Sequence, residues 1–429
     1  MLQTLRNAWK IPELKKKLLF TLLIIVLYRI GAVIPVPYIS SDALTSIINQ
    51  GSGSIFQYLN ILSGEAFSRA TLFALGVSPY ITSSIVMQLL TIAIPALEKL
   101  SKSGDEGQKK INTITRFVTV GLGLITAIGY YMYMRNNNIL INKGIFAGCV
   151  VVACYCAGTA LVMWLAEKVN ENGIGNGISL ILFANIVASG TTIVAMLASF
   201  VQQYGIWGVL IDIAIVVVAV VIVGLVVFVT NSERRLPIRY AKKVVGRKMY
   251  GGQSSVLPIK LNMTGVMPII FASSIVSLPS TIALLFPTPK EGSFWAKLLS
   301  FLGYNSWFYV VMFLILIIAF AYFYVAISFN PIEVSNNLKK NGGFIPGIRP
   351  GKPTADYITR VLNRITLIGA IFLGFIAVFP LIINMATGSS LGSIAFGGSS
   401  LLIVVGVALE TYHEIEAQMT MRHYKGFLE

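Results

Sequence analysis

Charge is scarce in this chain, and acid is scarcer than base. Only 12% of the residues are charged, with 17 Asp or Glu against 33 Lys or Arg, while 55% are hydrophobic. A soluble chain carries about 25% charged residues. The shortage excludes a soluble globular fold and points to a polytopic membrane protein. Cysteine is nearly missing: Cys149, Cys154 and Cys156 all fall in one apolar run, Ile145–Ala166. That excludes a disulfide framework and leaves no zinc site. The two histidines, His413 and His423, sit near the C-terminus, and His413-Glu414 fails as HExxH because position 417 is Ala. Carboxylates inside apolar runs are almost absent, since Asp212 and Glu167 lie near run ends. An ion-coupled transporter needs buried carboxylates for its relay, so that class is disfavoured. The run Gly347–Lys352 fails as a phosphate loop, with Pro346 in place of the first glycine and Pro353 in place of Ser/Thr. Gly173, Gly175 and Gly177 join two apolar runs and do not open a helix after a strand, so they make no dinucleotide fingerprint. With no nucleophile–base constellation either, nothing marks an enzyme and no cofactor is implied.

What the chain has is long apolar runs. Residues 1–17 are basic, with Arg6, Lys10, Lys15, Lys16 and Lys17. The run Leu18–Pro37 that follows is long enough to span and lacks a small-residue cleavage site, so it reads as a retained first span. The others are Thr71–Ile94, Phe117–Met134, Ile145–Ala166, Gly177–Phe200, Trp207–Thr230, Thr264–Phe286, Tyr304–Ser328, Ile365–Asn384 and Gly392–Leu409, which makes ten. Alternating from a cytoplasmic N-terminus puts 27 Lys or Arg on inside segments and 5 on outside ones. This positive-inside ratio fixes the orientation and leaves both termini cytoplasmic. Ten spans divide into two five-span halves of opposite direction, the count expected of inverted repeats with a central site or pore. The expected fold is an all-α polytopic membrane protein. Its segments are 1–17 (cytoplasmic), 18–200 (first half), 201–410 (second half) and 411–429 (cytoplasmic tail).

One stretch does not fit the spanning pattern. Between the first two runs lies GSGSIFQYLNILSGEA, residues 51–66. Its apolar core, Ile55–Leu62, would make a helix only about 12 Å long, against a hydrocarbon core of about 30 Å. Glycines bracket it. It is a short helix on hinges, starting from the outside face: a cap, an interfacial helix, or an insert into a cavity built by the spans. Arg29 is the one clearly internal charge, for which snorkelling or a carbonyl partner competes with a functional role. The second and seventh runs carry prolines and hydroxyls. Pro79 is expected to break a backbone bond mid-helix before Thr82, Ser83, Ser84 and Gln88, and Pro268 and Pro279 surround Ser273, Ser274 and Ser277. These helices are either packed through small residues or able to separate along a polar seam.

Two inside loops, 231–263 and 329–364, each exceed thirty residues. The first clusters Arg239, Lys242, Lys243, Arg247 and Lys248 beside Gly251-Gly252, with a short extended piece expected after Ser255. The second carries Lys339, Lys340 and Arg349 among turn residues. Attraction to anionic lipid explains the charge but not the length, so a docking platform for a large cytosolic partner is the sharper reading.

The motifs LGVSPYITSSIVMQLL, ENGIGNGIS, RYAKKVVGRKMYGGQSSVLPIKLN, FASSIV, FNPIEVSNNLKKNGGFIPGIRPGKPT and GGSSLLIVV occur in this order. Together the chain resembles the SecY family, the channel subunits of the bacterial Sec protein-translocation machinery. The resemblance implies an hourglass pore in the cytoplasmic membrane that passes unfolded secretory polypeptides and releases membrane segments sideways. It makes the short helix a half-inserted plug, with Ile55, Phe56, Tyr58, Leu59, Asn60 and Leu62. It makes Val77, Ile81, Ile178, Leu182, Ile270 and Ile403 the apolar ring at the constriction. Both Val77/Ile81 and Ile178/Leu182 are spaced i, i+4, which presents one helix face each. The second and seventh spans become a lateral gate, with Ser84, Gln88, Asn262 and Ser274 as its polar candidates. The basic loop residues become docking contacts for the ribosome, through its RNA and proteins, or for the motor ATPase SecA. SecE and SecG are the implied subunits; signal peptides, nascent polypeptides and membrane lipids complete the partners. A pore-less insertase would share the basic loops but has no use for a hinged plug.

Overall fold

The computed structural model describes residues 2–50, 60, 63–240, 243–245, 248–250, 254–283, 301, 303, 306–387 and 397–425. Each of the ten apolar runs carries helix, though not always where apolarity alone places it. Helix α1 (Leu2–Lys10) precedes α2 (Pro12–Gly31), which starts with proline in its first turn. Helix α2 stops well before Pro37, because residues 34–36 leave as extended chain hydrogen-bonded to residues 70–72. Helix α3 (Ser41–Gln50) follows. The second span is helical only over α4 (Ser78–Ala93), and residues 63–77 are a run of turns. Pro79 is therefore not a mid-helix break but sits in the first turn of α4, where its missing N–H costs nothing. Helix α5 (Pro95–Lys102) bends away by 101° at Pro95.

The third and fourth spans are α6 (Asp105–Asn136) and α7 (Ile145–Asn172). The fifth is broken at Ser189 into α8 (Gly177–Ala188) and α9 (Gly190–Tyr204). Asn176 caps α8, its side chain accepting from the N–H of Ile178 and Ser179. The boundary between halves expected at residue 200 falls inside α9; the chain turns at Gly205, φ 56°, into α10 (Ile206–Asn231). The rest are α11 (Met267–Ala283), α12 (Trp307–Ser328), α13 (Pro331–Lys340), α14 (Lys352–Thr387) and α15 (Gly397–Lys425). Helix α15 runs unbroken through the expected tail boundary at residue 410. Among the described residues, five helices are long and apolar enough to cross a membrane alone, and the bent pair α4–α5 makes a sixth.

The chain is mostly helical, as expected, and its long loops add small sheets. Strand β1 (Glu233–Tyr240) pairs antiparallel with β4 (Ser254–Lys260), and β5 (Gly343–Phe344) adds to the other side of β1. A separate hairpin joins β2 (Lys243–Val245) to β3 (Lys248–Tyr250). The alternation of Leu236 and Ile238 buried between exposed neighbours is the period-2 signature of a half-buried strand. Leu236, Ile259 and Ile345 pack on Val325 of α12 and on Ile358 and Leu362 of α14. The two basic loops thus form one body, seated on the extended end of α14.

Within the first half, α4 packs on α6, α6 on α7, and α7 on α2 and α8. Within the second, α11 packs on α12, α12 on α14, and α14 on α15. The halves meet where α4 touches α11 and where α8 touches α15. Those are the second span with the seventh and the fifth with the tenth, equivalent members of two five-span units. A two-fold relation between halves produces that pairing.

Candidate functional site

The six ring candidates lie on the four helices that make these two seams. Val77 caps the start of α4, and the N–H of Ile81 donates to its carbonyl at 3.0 Å, so the pair follows one helical turn. Leu182 lies on α8, Ile270 on α11 and Ile403 on α15. Val77, Ile81, Leu182, Ile270 and Ile403 are all between 2% and 3% exposed, and Ile178 is half-buried beside them. All six belong to one continuous apolar cluster. That cluster is large, so the feature that distinguishes them is their position on the four helices where the halves meet.

Beside two of the ring candidates is a cavity of about 70 Å³. Val77 and Leu182 line it, together with Ser63, Phe67 and Gly76 of the turns, Thr82 of α4, Thr126 of α6, and Ser277 and Thr281 of α11. Its hydroxyl groups make it polar enough to hold water. Of the plug candidates only Asn60 is among the described residues; Ile55, Phe56, Tyr58, Leu59 and Leu62 lie outside them. Asn60 ties a compact turn: its side-chain oxygen accepts from the N–H of Ser68 at 2.9 Å, and its carbonyl accepts from the Ser63 hydroxyl at 3.0 Å. The N–H of Phe67 donates to the Ser63 hydroxyl at 3.0 Å.

This turn is pinned from behind by residues that sequence reasoning missed. Tyr130 of α6 donates its hydroxyl to the Phe67 carbonyl at 2.6 Å, and the two rings stack 4.6 Å apart. Tyr155 of α7 packs against Tyr130 at 5.2 Å. Isolated tyrosines in apolar runs gave no sequence signal for this contact. On the other side, the Asn185 amide of α8 donates to the Tyr28 hydroxyl of α2 at 2.9 Å, and Tyr28 stacks on Phe73 at 5.3 Å. Arg29 stands in the last turn of α2, where a cation faces the negative helix end. It is therefore nearer a helix end than the run Leu18–Pro37 implied.

The gate candidates separate. Ser84 and Gln88 are half-buried on α4, and the Gln88 amide donates to Ser84 at 3.4 Å. Ser274 is half-buried on α11, donating to the Ile270 carbonyl at 2.8 Å. Helices α4 and α11 are in contact. Asn262 lies elsewhere: it is buried, accepts from Thr264 at 3.2 Å, and lines a small pocket with Ala321 and Val325 of α12 and Thr366 of α14. Ser83 is buried and bonds to Thr119 of α6, which joins α4 to its own half and not to the seam.

On the loop body, Arg239 is exposed and stands opposite both Ser254 and Phe344 in the sheet. Lys339, Lys340 and Arg349 are also exposed. Backbone pairing places Lys243 and Lys248 on the hairpin, while Lys242 and Arg247 lie outside the described residues. Elsewhere on the inside face, Arg116 grips Glu167 with two contacts of 2.8 Å, bridging α6 and α7. The hydrogen bond to Glu167 pushes the Arg116 pKa further up. Glu167, near a run end in the sequence, is thus a structural partner.

A sequence profile of the SecY family matches residues 71–412. The protein translocase subunit SecY of Streptomyces galbus is 43% identical over 441 residues, covering 100% of both chains. That of Mycobacterium tuberculosis is 42% identical over 450 residues, again covering 100% of both. A solved structure of a protein-conducting channel superposes with a TM-score of 0.67 at 19% identity, covering 94% of this chain and 92% of that one. A SecY structure on the plug domain's role in the closed state and the membrane seal gives 0.66 at 20% identity, with the same coverage. Sec61 in a canine ribosome–channel complex from the endoplasmic reticulum gives 0.62 at 18% identity, covering 94% and 92%.

Proposed function

The chain belongs to the SecY family, and from that premise we propose that it forms a gated pathway for unfolded polypeptides through the bacterial cell membrane. It is a protein-conducting channel of the translocase and not an enzyme. The observation that carries the mechanism is that five buried aliphatic side chains and the half-buried Ile178 share one apolar cluster at the four helices where two five-span halves meet. An apolar constriction of this kind dewets, which stops ions, while flexible side chains yield to a passing chain. Residues 51–66 act as the plug on the outside of the ring. The α4–α11 seam acts as the lateral gate, with Ser84, Gln88 and Ser274 as its polar lining; Asn262 supports α12 and α14 instead. A hydrophobic signal segment wedges the seam, displaces the plug and widens the ring.

The driving force comes from outside the chain. Structures of the same fold seen bound to ribosomes support a ribosome as the partner; the exposed charge of the basic loop body makes it the docking surface, and SecA serves as the motor after synthesis. SecE and SecG complete the complex, and both termini face the cytoplasm. Because the sheet fuses the two loops, Arg239, Lys339, Lys340 and Arg349 act as one patch. Reversing all four to Glu should weaken ribosome binding about tenfold or more at low salt and flatten its salt dependence. Unchanged affinity and unchanged salt slope would remove this patch from the docking surface.

Ion flux through the purified protein in liposomes tests the channel reading. Wild type should be tight, and deletion of Gly53–Gly64 should leak. A tight deletion in folded protein would remove the plug assignment and leave the ring as the whole seal.

A further inference from the structure

The Arg29 guanidinium is the least explained group in the membrane region. Its Nη1 is buried and has no hydrogen-bond acceptor among the described residues. A buried guanidinium nitrogen left without an acceptor in an apolar span is costly and marks a functional position. Its neighbour in space is Gly64. A Cβ built on Gly64 would lie 2.6 Å from Arg29 Nη1, 3.0 Å from Asn185 Oδ1 and 3.1 Å from the Asn185 Cα. The backbone at Gly64 is thus pressed into a notch formed by Arg29 of α2 and Asn185 of α8. Glycine is required there twice over, by the space and by its φ of +65°. The notch is rigid, since Tyr28 holds Asn185 and Phe73 stacks on Tyr28. Three residues further on, the chain is fixed by Tyr130 at Phe67.

We propose that Arg29 is a positioning residue for the plug: with Asn185 behind it, the guanidinium holds the chain at Gly64 in the closed channel and lets it go on opening. The inference rests on the plug reading above. It assigns the fixed end of the plug to Phe67, held by Tyr130, and the releasable contact to Gly64 beside Arg29. A guanidinium suits this role because its planar head fits against the Gly64 backbone, where a Cβ would meet it. Dipole stabilisation at the end of α2 alone would need the charge but not the contact with Gly64.

The test is resting potassium flux through the purified complex in liposomes, with the Gly53–Gly64 deletion as reference. Arg29→Gln should raise flux about tenfold, which corresponds to a contact at Gly64 worth about 1.4 kcal/mol. Arg29→Lys should restore part of the seal, and Gly64→Ala, which leaves Arg29 intact, should leak as Arg29→Gln does. In the deletion background, Arg29→Gln should add nothing. A leaking deletion beside tight Arg29→Gln and Gly64→Ala variants would overturn the latch and leave the plug standing. Should Arg29→Gln fail to fold, Gly64→Ala decides: tight means no latch. Additive leaks in the double variant would also overturn it. A tight deletion would instead strike at the plug reading itself.

Discussion

Replacing Ile81 and Ile270 together by Asn should open the resting membrane to ions even with residues 51–66 in place. The two side chains are 2% and 3% exposed, on α4 and α11, the helices that meet at one seam between the halves. In the wild type they present only hydrocarbon, so a water column through the constriction would break hydrogen bonds without replacement. An Asn buried there without partners costs about 1–3 kcal/mol, and water entry removes that cost. Two such groups shift the wet–dry balance by roughly 2–6 kcal/mol, or about 30-fold to about 20,000-fold in hydrated population. Ion flux in liposomes should rise accordingly. The paired Ala variant separates polarity from size: it widens the same place without wetting it and should leak far less. Thermal unfolding in detergent checks that both pairs remain folded. A tight Asn pair in folded protein would mean that the constriction lies at other side chains.

The spans were readable because lipid forces apolarity on any segment that crosses it, and all ten runs do carry helix. Their ends were less readable, for identifiable reasons. Residues 71–77 are as apolar as a span but form turns: Leu72 donates to the extended chain at Ile34, and Ala74 and Gly76 donate only three residues back, to Thr71 and Phe73. Apolarity reports burial, not helix. Pro79 carried the correction in plain view, since proline favours a first helical turn over a helix interior. The break at Ser189 left no mark in hydropathy. The small sheet was half legible: the alternation after Ser255 pointed to β4, but a two-residue partner strand a hundred positions away cannot be read from pattern. The ring was not legible from the residues at all. Dozens of buried aliphatics share its chemistry, and only the family resemblance selected these six. Asn262 shows the converse. A polar residue just before the seventh span looks like a gate residue, yet its neighbours in the fold are α12 and α14.

Gly158→Ala should cost more than its one added methyl group implies. The new Cβ would lie 2.0 Å from the Leu72 carbonyl oxygen and 3.0 Å from its carbon. Both are backbone atoms, so no rotamer change relieves the overlap, and α7 or the turn at 71–77 must move. That turn cannot yield alone, because Leu72 donates to the Ile34 carbonyl at 2.9 Å and Val36 to the Ala70 carbonyl at 3.0 Å. Overpacking of this kind costs about 1–3 kcal/mol, more where backbone is trapped. Gly224→Ala in α10 is the control: a Cβ there meets nothing within 4 Å. It should leave stability unchanged or raise it by about 0.5–1 kcal/mol through helix propensity. Thermal unfolding of the purified protein compares the two, and equal melting temperatures would refute the close approach of α7 to Leu72. The consequence reaches the channel because the displaced turn carries Gly64 at one end and Val77 at the other. A shift of its backbone loosens the notch at Arg29 and the first ring residue together. Gly158→Ala should therefore leak as well as melt early, although residue 158 is assigned to neither the plug nor the ring.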